Sequence, residues 1–147
     1  MARIRIEEKR LDAIIEYKNN PRHNDKAVGA VKESIKEFGF INPIIVNRAG
    51  EILAGHTRVK ALKELGSESA ACIVVDDLTE DQERAFRIAD NRAADLSEWD
   101  SDLLVAEMKK AGEIDFSRFG FKDKELDRLR PPEECKCPRC GRSFFKV

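Results

Sequence analysis

Ile52-Leu53-Ala54-Gly55-His56-Thr57-Arg58-Val59-Lys60-Ala61-Leu62 decides how this chain is read. Three apolar residues make a short strand. The strand stops at a glycine, and a basic helical start follows. Gly55 lets the backbone come close to a ligand. A helix beginning there aims free N–H groups and the positive end of its dipole at the turn. His56, Thr57 and Arg58 add side-chain donors at the same spot, which is the chemistry of a phosphate site. A plainer reading competes with it: Thr57 caps the helix, and Arg58 and Lys60 are solvated helix residues. Spacing alone leaves both open.

The flanking sequence places this junction in a fold. Upstream, Asn42-Pro43 opens the strand Ile44-Ile45-Val46, and Ala49-Gly50 turns it into Glu51-Ile52-Leu53, a hairpin pattern. Val28, Val31, Ile35 and Phe38 repeat at helical spacing. They predict a helix from Asp25 to Phe38, capped by Asn24 or Asp25 and stopped by Gly39. Residues 3–6 alternate as a strand start does, and Asn19-Asn20-Pro21-Arg22 is a turn. Downstream, the helix after Gly55 runs to Leu65 and ends at Gly66. Cys72-Ile73-Val74-Val75 is continuously apolar and is expected to be buried on both faces. Thr79 and Gln82 form a capping box for a helix reaching Asp90 or beyond. A second helix spans Ser101 to Lys110, and a last short one runs from Lys122 to Leu129. The expectation is an α/β fold: a small mixed β-sheet flanked by helices, with a C-terminal helical lobe and a short cysteine-containing tail. The boundaries are 1–78 for the sheet part, 79–130 for the helical lobe, and 131–147 for the tail.

Composition bounds the classes. A hydrophobic share of 41% in 147 residues supports one compact domain with a small appendage. No apolar run approaches the ~18 residues of a membrane helix. The start, Met1-Ala2-Arg3-Ile4-Arg5, has no signal-peptide apolar stretch, so the expected location is cytoplasmic, with no membrane partner. Net charge is −1, with residues 1–66 on balance basic and 67–130 on balance acidic. The basic half suits a nucleotide or nucleic-acid phosphate, and the acidic middle argues against nonspecific wrapping of DNA.

Four boxes now stand in order: Asn19-Asn20-Pro21-Arg22, the helix–glycine–proline–strand segment from Val31 to Val46, Gly55-His56-Thr57-Arg58, and Ala89-Asp90-Asn91-Arg92 with Leu96. Together, over roughly residues 3–130, they resemble the ParB/sulfiredoxin superfamily, specifically the ParB-like N-terminal (ParB-like nuclease) domain of the phage and mobile-element type. Gly55–Arg58 takes the place of the Gly-Glu-Arg-Arg box of partition proteins. Ala89–Arg92 resembles their Glu-Asn-x-x-Arg box. The resemblance implies that the Gly…Arg box lies on the phosphates of a bound nucleotide with Mg²⁺. That nucleotide is CTP in partition proteins and ATP or ADP in other branches, one of which is a serine kinase. It implies a nucleotide site built from Arg22, Pro43, Gly55, His56, Thr57, Arg58, Asp90, Asn91 and Arg92. DNA is the implied partner, and some relatives are nucleases. A DNA methyltransferase often follows the domain in such elements, which makes it a second candidate partner. A homodimer is a further expectation.

Two departures limit the transfer. His56 stands where sulfiredoxin has its catalytic cysteine, so sulfinic-acid reduction is not expected. His56 and Thr57 also replace the Glu and Arg of partition proteins, so CTP preference does not follow. No central helix-turn-helix or dimerisation domain fits into these residues, and a centromere-clamp role is not expected.

Among single residues, Arg58 is the strongest phosphate contact, because its fork binds two oxygens. His56 can donate to phosphate or act as acid or base, and with Glu51 it is a catalytic candidate. Arg22 and His23 can close over the same ligand. Asp90 and Asn91 offer hard oxygens for Mg²⁺. Glu37 is acidic and near in sequence, with nothing to single it out. Trp99, Phe116, Phe119 and Phe121 can stack on bases, although core packing is the commoner role of aromatics. In the tail, Cys135, Cys137 and Cys140 fall in Cys-x-Cys-Pro-x-Cys-Gly, a zinc-knuckle pattern with three ligands where a closed site needs four. A site shared between two chains would complete it, and a metal-free tail is the alternative. Arg139, Arg142 and Lys146 with Phe144 and Phe145 give it a basic, aromatic end.

Three functions fit these residues. One is a nucleotide-dependent DNA-binding, NTPase or nuclease module with Mg²⁺. The second is a non-enzymatic adaptor of a DNA enzyme. The third is a serine-kinase-like phosphotransferase.

Overall fold

The computed structural model describes residues 3–127, 134–136 and 143–145. It divides into two compact units, one running to Glu98 and including Arg118–Gly120, the other made of Trp99–Ser117 and the residues from Phe121 on.

The first unit is built on a four-stranded mixed sheet. The elements are β1 (Ile4–Arg10), α1 (Asp25–Phe38), β2 (Ile44–Asn47), β3 (Ile52–Ala54), α2 (His56–Glu64), β4 (Ser69–Val75) and α3 (Glu80–Asp95). Strand order is β1-β4-β2-β3. β2 and β3 form the predicted antiparallel hairpin, β2 lies parallel to β4, and β1 closes antiparallel on β4. The expected α/β class therefore holds. α1 spans the predicted residues, although Asn24 at its cap makes no side-chain hydrogen bond.

The core lies on the face covered by α1 and α2. Ile44, Val46, Ile52, Val59 and Cys72 are fully buried there, with Ile35 and Phe40 packed against them. Burying each large aliphatic side chain contributes about 1.5–3 kcal/mol. β4 corrects one expectation: it is not buried on both faces. Cys72 and Val74 are buried, while Ala71 is exposed and Ile73 half-buried. The cause is the register. Ile4 and Ile6 of β1 pair with Val75 and Ile73, on the face away from the core, and remain 63% and 80% exposed.

α3 is held to the hairpin by one side chain. Its start is the predicted capping box, with Thr79 accepting from the Gln82 amide and Gln82 reaching back to Thr79. Two turns on, Arg87 is buried, the one charged residue in the protein core among the described residues. Its Nε donates to the Ile52 carbonyl at 2.9 Å, and its outer nitrogen lies 2.6 Å from Glu51 and 3.7 Å from Glu83. The guanidinium also sits 3.9 Å over the Tyr17 ring, a cation–π contact. Elsewhere in this unit Arg118 bonds Glu33 and Glu37 of α1, and Phe119 stacks on Phe38.

The second unit holds α4 (Ser101–Lys110), capped by the Asp100 carboxylate, and α5 (Asp123–Leu126). Trp99, Phe116 and Phe121 cluster there, with Trp99 still 70% exposed. β5 (Glu134–Lys136) and β6 (Ser143–Phe145) pair antiparallel, with Cys135 opposite Phe144. Cys137, Cys140, Arg139, Arg142 and Lys146 lie outside the described residues, as does the end of the helix expected to reach Leu129.

Arg87→Ala leaves Glu51 and the mostly buried Glu83 without their cation. The expected loss is about 3–5 kcal/mol in urea unfolding, and Arg87→Ala with Glu51→Gln recovers part of it.

Candidate functional site

The chain must reverse sharply where β3 feeds α2, and Gly55 makes that turn. Its φ of 107° and ψ of 22° lie in the left-handed region, where side chains are strained. A Cβ at Gly55 would sit 3.4 Å from an Arg58 terminal nitrogen and 3.5 Å from the Ile44 Cα. Gly55 is itself the helix cap and supplies no side-chain hydrogen bond. Thr57 lies inside the first turn, so it is not the cap. The first amides of α2 are left open.

Arg58 turns back beneath this junction. One of its terminal nitrogens donates to the carbonyls of Asn42, at 3.3 Å, and Pro43. Burial pulls the guanidinium below its usual pKa, and the Asp90 carboxylate opposes that shift. The opposite wall comes from α3 and the turn before α1. Arg22 donates to the Asn91 carbonyl and side-chain oxygen at 3.3 and 3.2 Å, and pairs with Asp95 at 3.0 Å. Asn91 in turn donates to the Arg87 carbonyl at 2.7 Å.

These walls enclose a cavity of about 400 Å³ lined by Arg22, His23, Lys26, Gly55, His56, Thr57, Arg58, Asp90 and Asn91, among others. Arg22, Lys26 and Arg58 line it with one carboxylate, Asp90, and Arg22 is also paired with Asp95 just outside, so the lining is on balance basic. His56, the first residue of α2, is half-buried. Burial is the main cause that lowers its pKa; Glu16 opposes it, while Arg87 and Lys60 add to it.

Seven of the nine nucleotide-site residues expected from the sequence thus line one cavity. Pro43 does not, although its carbonyl holds Arg58. Arg92 is exposed on α3 and lies outside the lining. Glu51 is engaged by Arg87 at a separate cavity, and Glu37 is paired with Arg118. Lys26 and Arg87 were not singled out by sequence. Lys26 has a faint signal as a base in the first turn of α1, where an acid is favoured. The Mg²⁺ donor set is thin. Asn91 spends its oxygen on Arg22, and no cluster of three metal-binding side chains occurs among the described residues. Asp90 alone remains, so Mg²⁺ fits here only with most of its ligands supplied by phosphates and water.

A cationic cavity lies at a strand–glycine–helix junction of an α/β fold, with a helix crossing behind it. Residues 2–92 match the family model described as the ParB N-terminal domain, and the chain belongs to that family. It is 37% identical over 83 residues to the ParB-like nuclease domain-containing protein YnaK of Escherichia coli strain K12, covering 56% of this chain and 95% of YnaK. It is 34% identical over 86 residues to a probable chromosome-partitioning protein ParB of Campylobacter jejuni, covering 55% of this chain and 31% of that protein. It therefore spans about a third of that longer partitioning relative. Among solved structures, the truncated chromosome-partitioning ParB of Caulobacter crescentus complexed with CTP-gamma-S superposes with a TM-score of 0.61 at 18% identity, over 84% of this chain and 69% of that one. At that identity the likeness speaks for the fold.

No helix among the described residues is long and apolar enough to cross a membrane.

Two outcomes test the site's construction. Gly55→Ala should cost about 1–2 kcal/mol of stability by the left-handed backbone alone, read by thermal or urea unfolding. For His56 the folded pKa lies below the unfolded value, so the unfolded chain takes up its proton first as the solution becomes acidic. Its neutral burial favours folding above pH ~6.5, and that contribution is lost as pH falls below it. Wild type should therefore lose more stability than His56→Asn between pH 7 and pH 5.

Proposed function

We propose that this protein binds a nucleoside di- or triphosphate in the cavity at the start of α2 and acts in DNA transactions. The observation that carries this reading is the convergence of Arg22, Lys26, Arg58 and the uncapped amides of α2 on one cavity with a single carboxylate. Phosphates at a helix start, held by Arg forks, are a recurrent arrangement. The CTP-gamma-S complex of the Caulobacter relative supports a nucleotide over a bare phosphate. The partitioning names of the other relatives support DNA as the macromolecular context. Mg²⁺ would arrive with the nucleotide.

Binding stands ahead of hydrolysis in this reading. Phosphoryl transfer to water needs a group that orients the water, and Asp90 faces the Arg58 charge. For DNA cleavage the support is the nuclease-domain name of the Escherichia coli relative, and serine phosphorylation has none.

Wild type titrated with CTP, ATP, ADP and GTP, with and without Mg²⁺, should gain thermal stability with at least one of them. Arg58→Ala should lose the gain, and Lys26→Ala should weaken binding roughly tenfold, the effect of one charge-assisted hydrogen bond. No stabilisation by any of the four overturns the nucleotide reading. Phosphate release and DNA nicking on the same preparations decide hydrolysis.

For the tail we propose a zinc shared between two chains through Cys135, Cys137 and Cys140. Elemental analysis of purified protein should find about 0.5 zinc per chain; under about 0.2 rejects it.

A further inference from the structure

His56 is the residue at which the cavity departs from an ordinary cluster of cations. Its Nε2 is buried and has no hydrogen-bond partner among the described residues. The ring lines both the anion cavity and a smaller cavity of about 190 Å³. Nδ1 is not among the buried, unpartnered atoms, so it is the ring nitrogen left to meet a ligand. A neutral imidazole carries one proton on one of its two nitrogens. Placing it on Nε2 would bury an N–H with no acceptor, which is rarer and costlier in proteins than an unfilled lone pair. Placing it on Nδ1 leaves only a lone pair unsatisfied and puts the N–H on the nitrogen that can meet a ligand.

From this geometry we infer that His56 is a neutral hydrogen-bond donor through Nδ1–H to the anion bound at the start of α2, and not a base or an imidazolium. The inference rests on the nucleotide reading for the identity of that anion. The surroundings keep the ring neutral. His56 is the first residue of α2, where the helix dipole opposes positive charge. Arg87 from α3 and Lys60 from α2 oppose it as well, and burial adds to both. Glu16 alone favours the charged form, and it is bonded to Lys63 at 3.0 Å. The smaller cavity is lined also by Arg22, His23 and Asp25; Arg22 is bonded to Asn91 and Asp95, and Asp25 is paired with Lys60 at 2.6 Å.

A donor that stays neutral has a specific consequence. It adds a directional contact without adding a fourth charge. It also leaves His56 unable to take a proton from water or a hydroxyl through Nε2, which lies inside the protein.

The chain has two histidines, so the spectrum of His56→Asn assigns the ring signals by elimination. Nitrogen-15 NMR of the ligand-free wild type at pH 7 should show His56 protonated at Nδ1 and unprotonated at Nε2. Addition of CTP or inorganic phosphate should shift Nδ1 without producing an imidazolium. In binding, Asn offers its amide at the Nδ1 position and Gln at the Nε2 position. His56→Leu and His56→Gln should weaken CTP binding by at least about tenfold, and His56→Asn should restore it to within about threefold. An Nε2–H tautomer, an imidazolium at pH 7, or His56→Leu binding like wild type overturns the inference. Should wild type bind neither CTP nor phosphate, the nucleotide reading fails and the donor loses its anion. The tautomer, read in the free protein, is decided separately.

Discussion

One buried guanidinium sets the geometry on which the site depends. Arg87 cannot remain unsatisfied in the core, and its partners fix where α3 lies. The Ile52 carbonyl and the Glu51 carboxylate hold it to the start of β3. Asn91, one turn further along α3, donates to the Arg87 carbonyl and accepts from Arg22. The turn bearing Arg22 is thereby tied to the helix bearing Asp90. Sliding α3 by one turn would break all of these contacts together, so the cavity wall is set by a charge one turn earlier on the same helix face.

Arg58 fixes the opposite wall and divides its donors. A guanidinium has five N–H groups in a rigid fork. Those on one terminal nitrogen hold the Asn42–Pro43 backbone, which enters β2. The remaining donors are free for an anion while the group's position is already set. Prior fixing of this kind lowers the entropy lost on binding. Gly55 belongs to the same arrangement, since its left-handed backbone makes the turn and a Cβ there would lie in contact with the guanidinium. The loop before β2, the turn after β3 and the start of α2 thus form one unit.

Local signals were legible where chemistry acts over a few residues. The hairpin, the span of α1 and the Thr79–Gln82 capping box all follow from short-range turn and cap chemistry. At Gly55 and Arg58 the strand–turn–helix junction was legible from the glycine between an apolar strand and a basic helix, while the choice between cap and ligand contact was not settled by spacing. Arg87 was not. In sequence it is one more charge in a polar helix, and only the pairing of α3 with β3 buries it. The two-sided burial expected of Cys72–Val75 failed for a related reason: an apolar run does not say how many faces are covered, and the helices cover one. Arg92 sits in a recognisable box, yet helical geometry turns it away from the cavity that Asp90 and Asn91 line. A box marks a neighbourhood, and the 100° between successive helical residues decides which members reach the ligand.

The departures in the Gly55–Arg58 box have an electrostatic explanation if His56 is neutral. The corresponding box of partition proteins, Gly-Glu-Arg-Arg, places a negative and a positive side chain where this chain has His56 and Thr57. A neutral imidazole and a hydroxyl carry no charge between them, and neither in sum do a glutamate and an arginine. The exchange therefore leaves the net charge beside the helix start unchanged. What changes is the character of the contact. Two opposite full charges must each be desolvated on burial, whereas a neutral ring and a hydroxyl carry a smaller desolvation cost and still donate hydrogen bonds. A protonated His56 would add a charge at the helix N-terminus, beside Arg58 and within reach of Arg87 and Lys60. The tautomer assigned to His56 and the charge balance of the box are therefore one constraint, seen first in the buried ring nitrogen and then in the sequence.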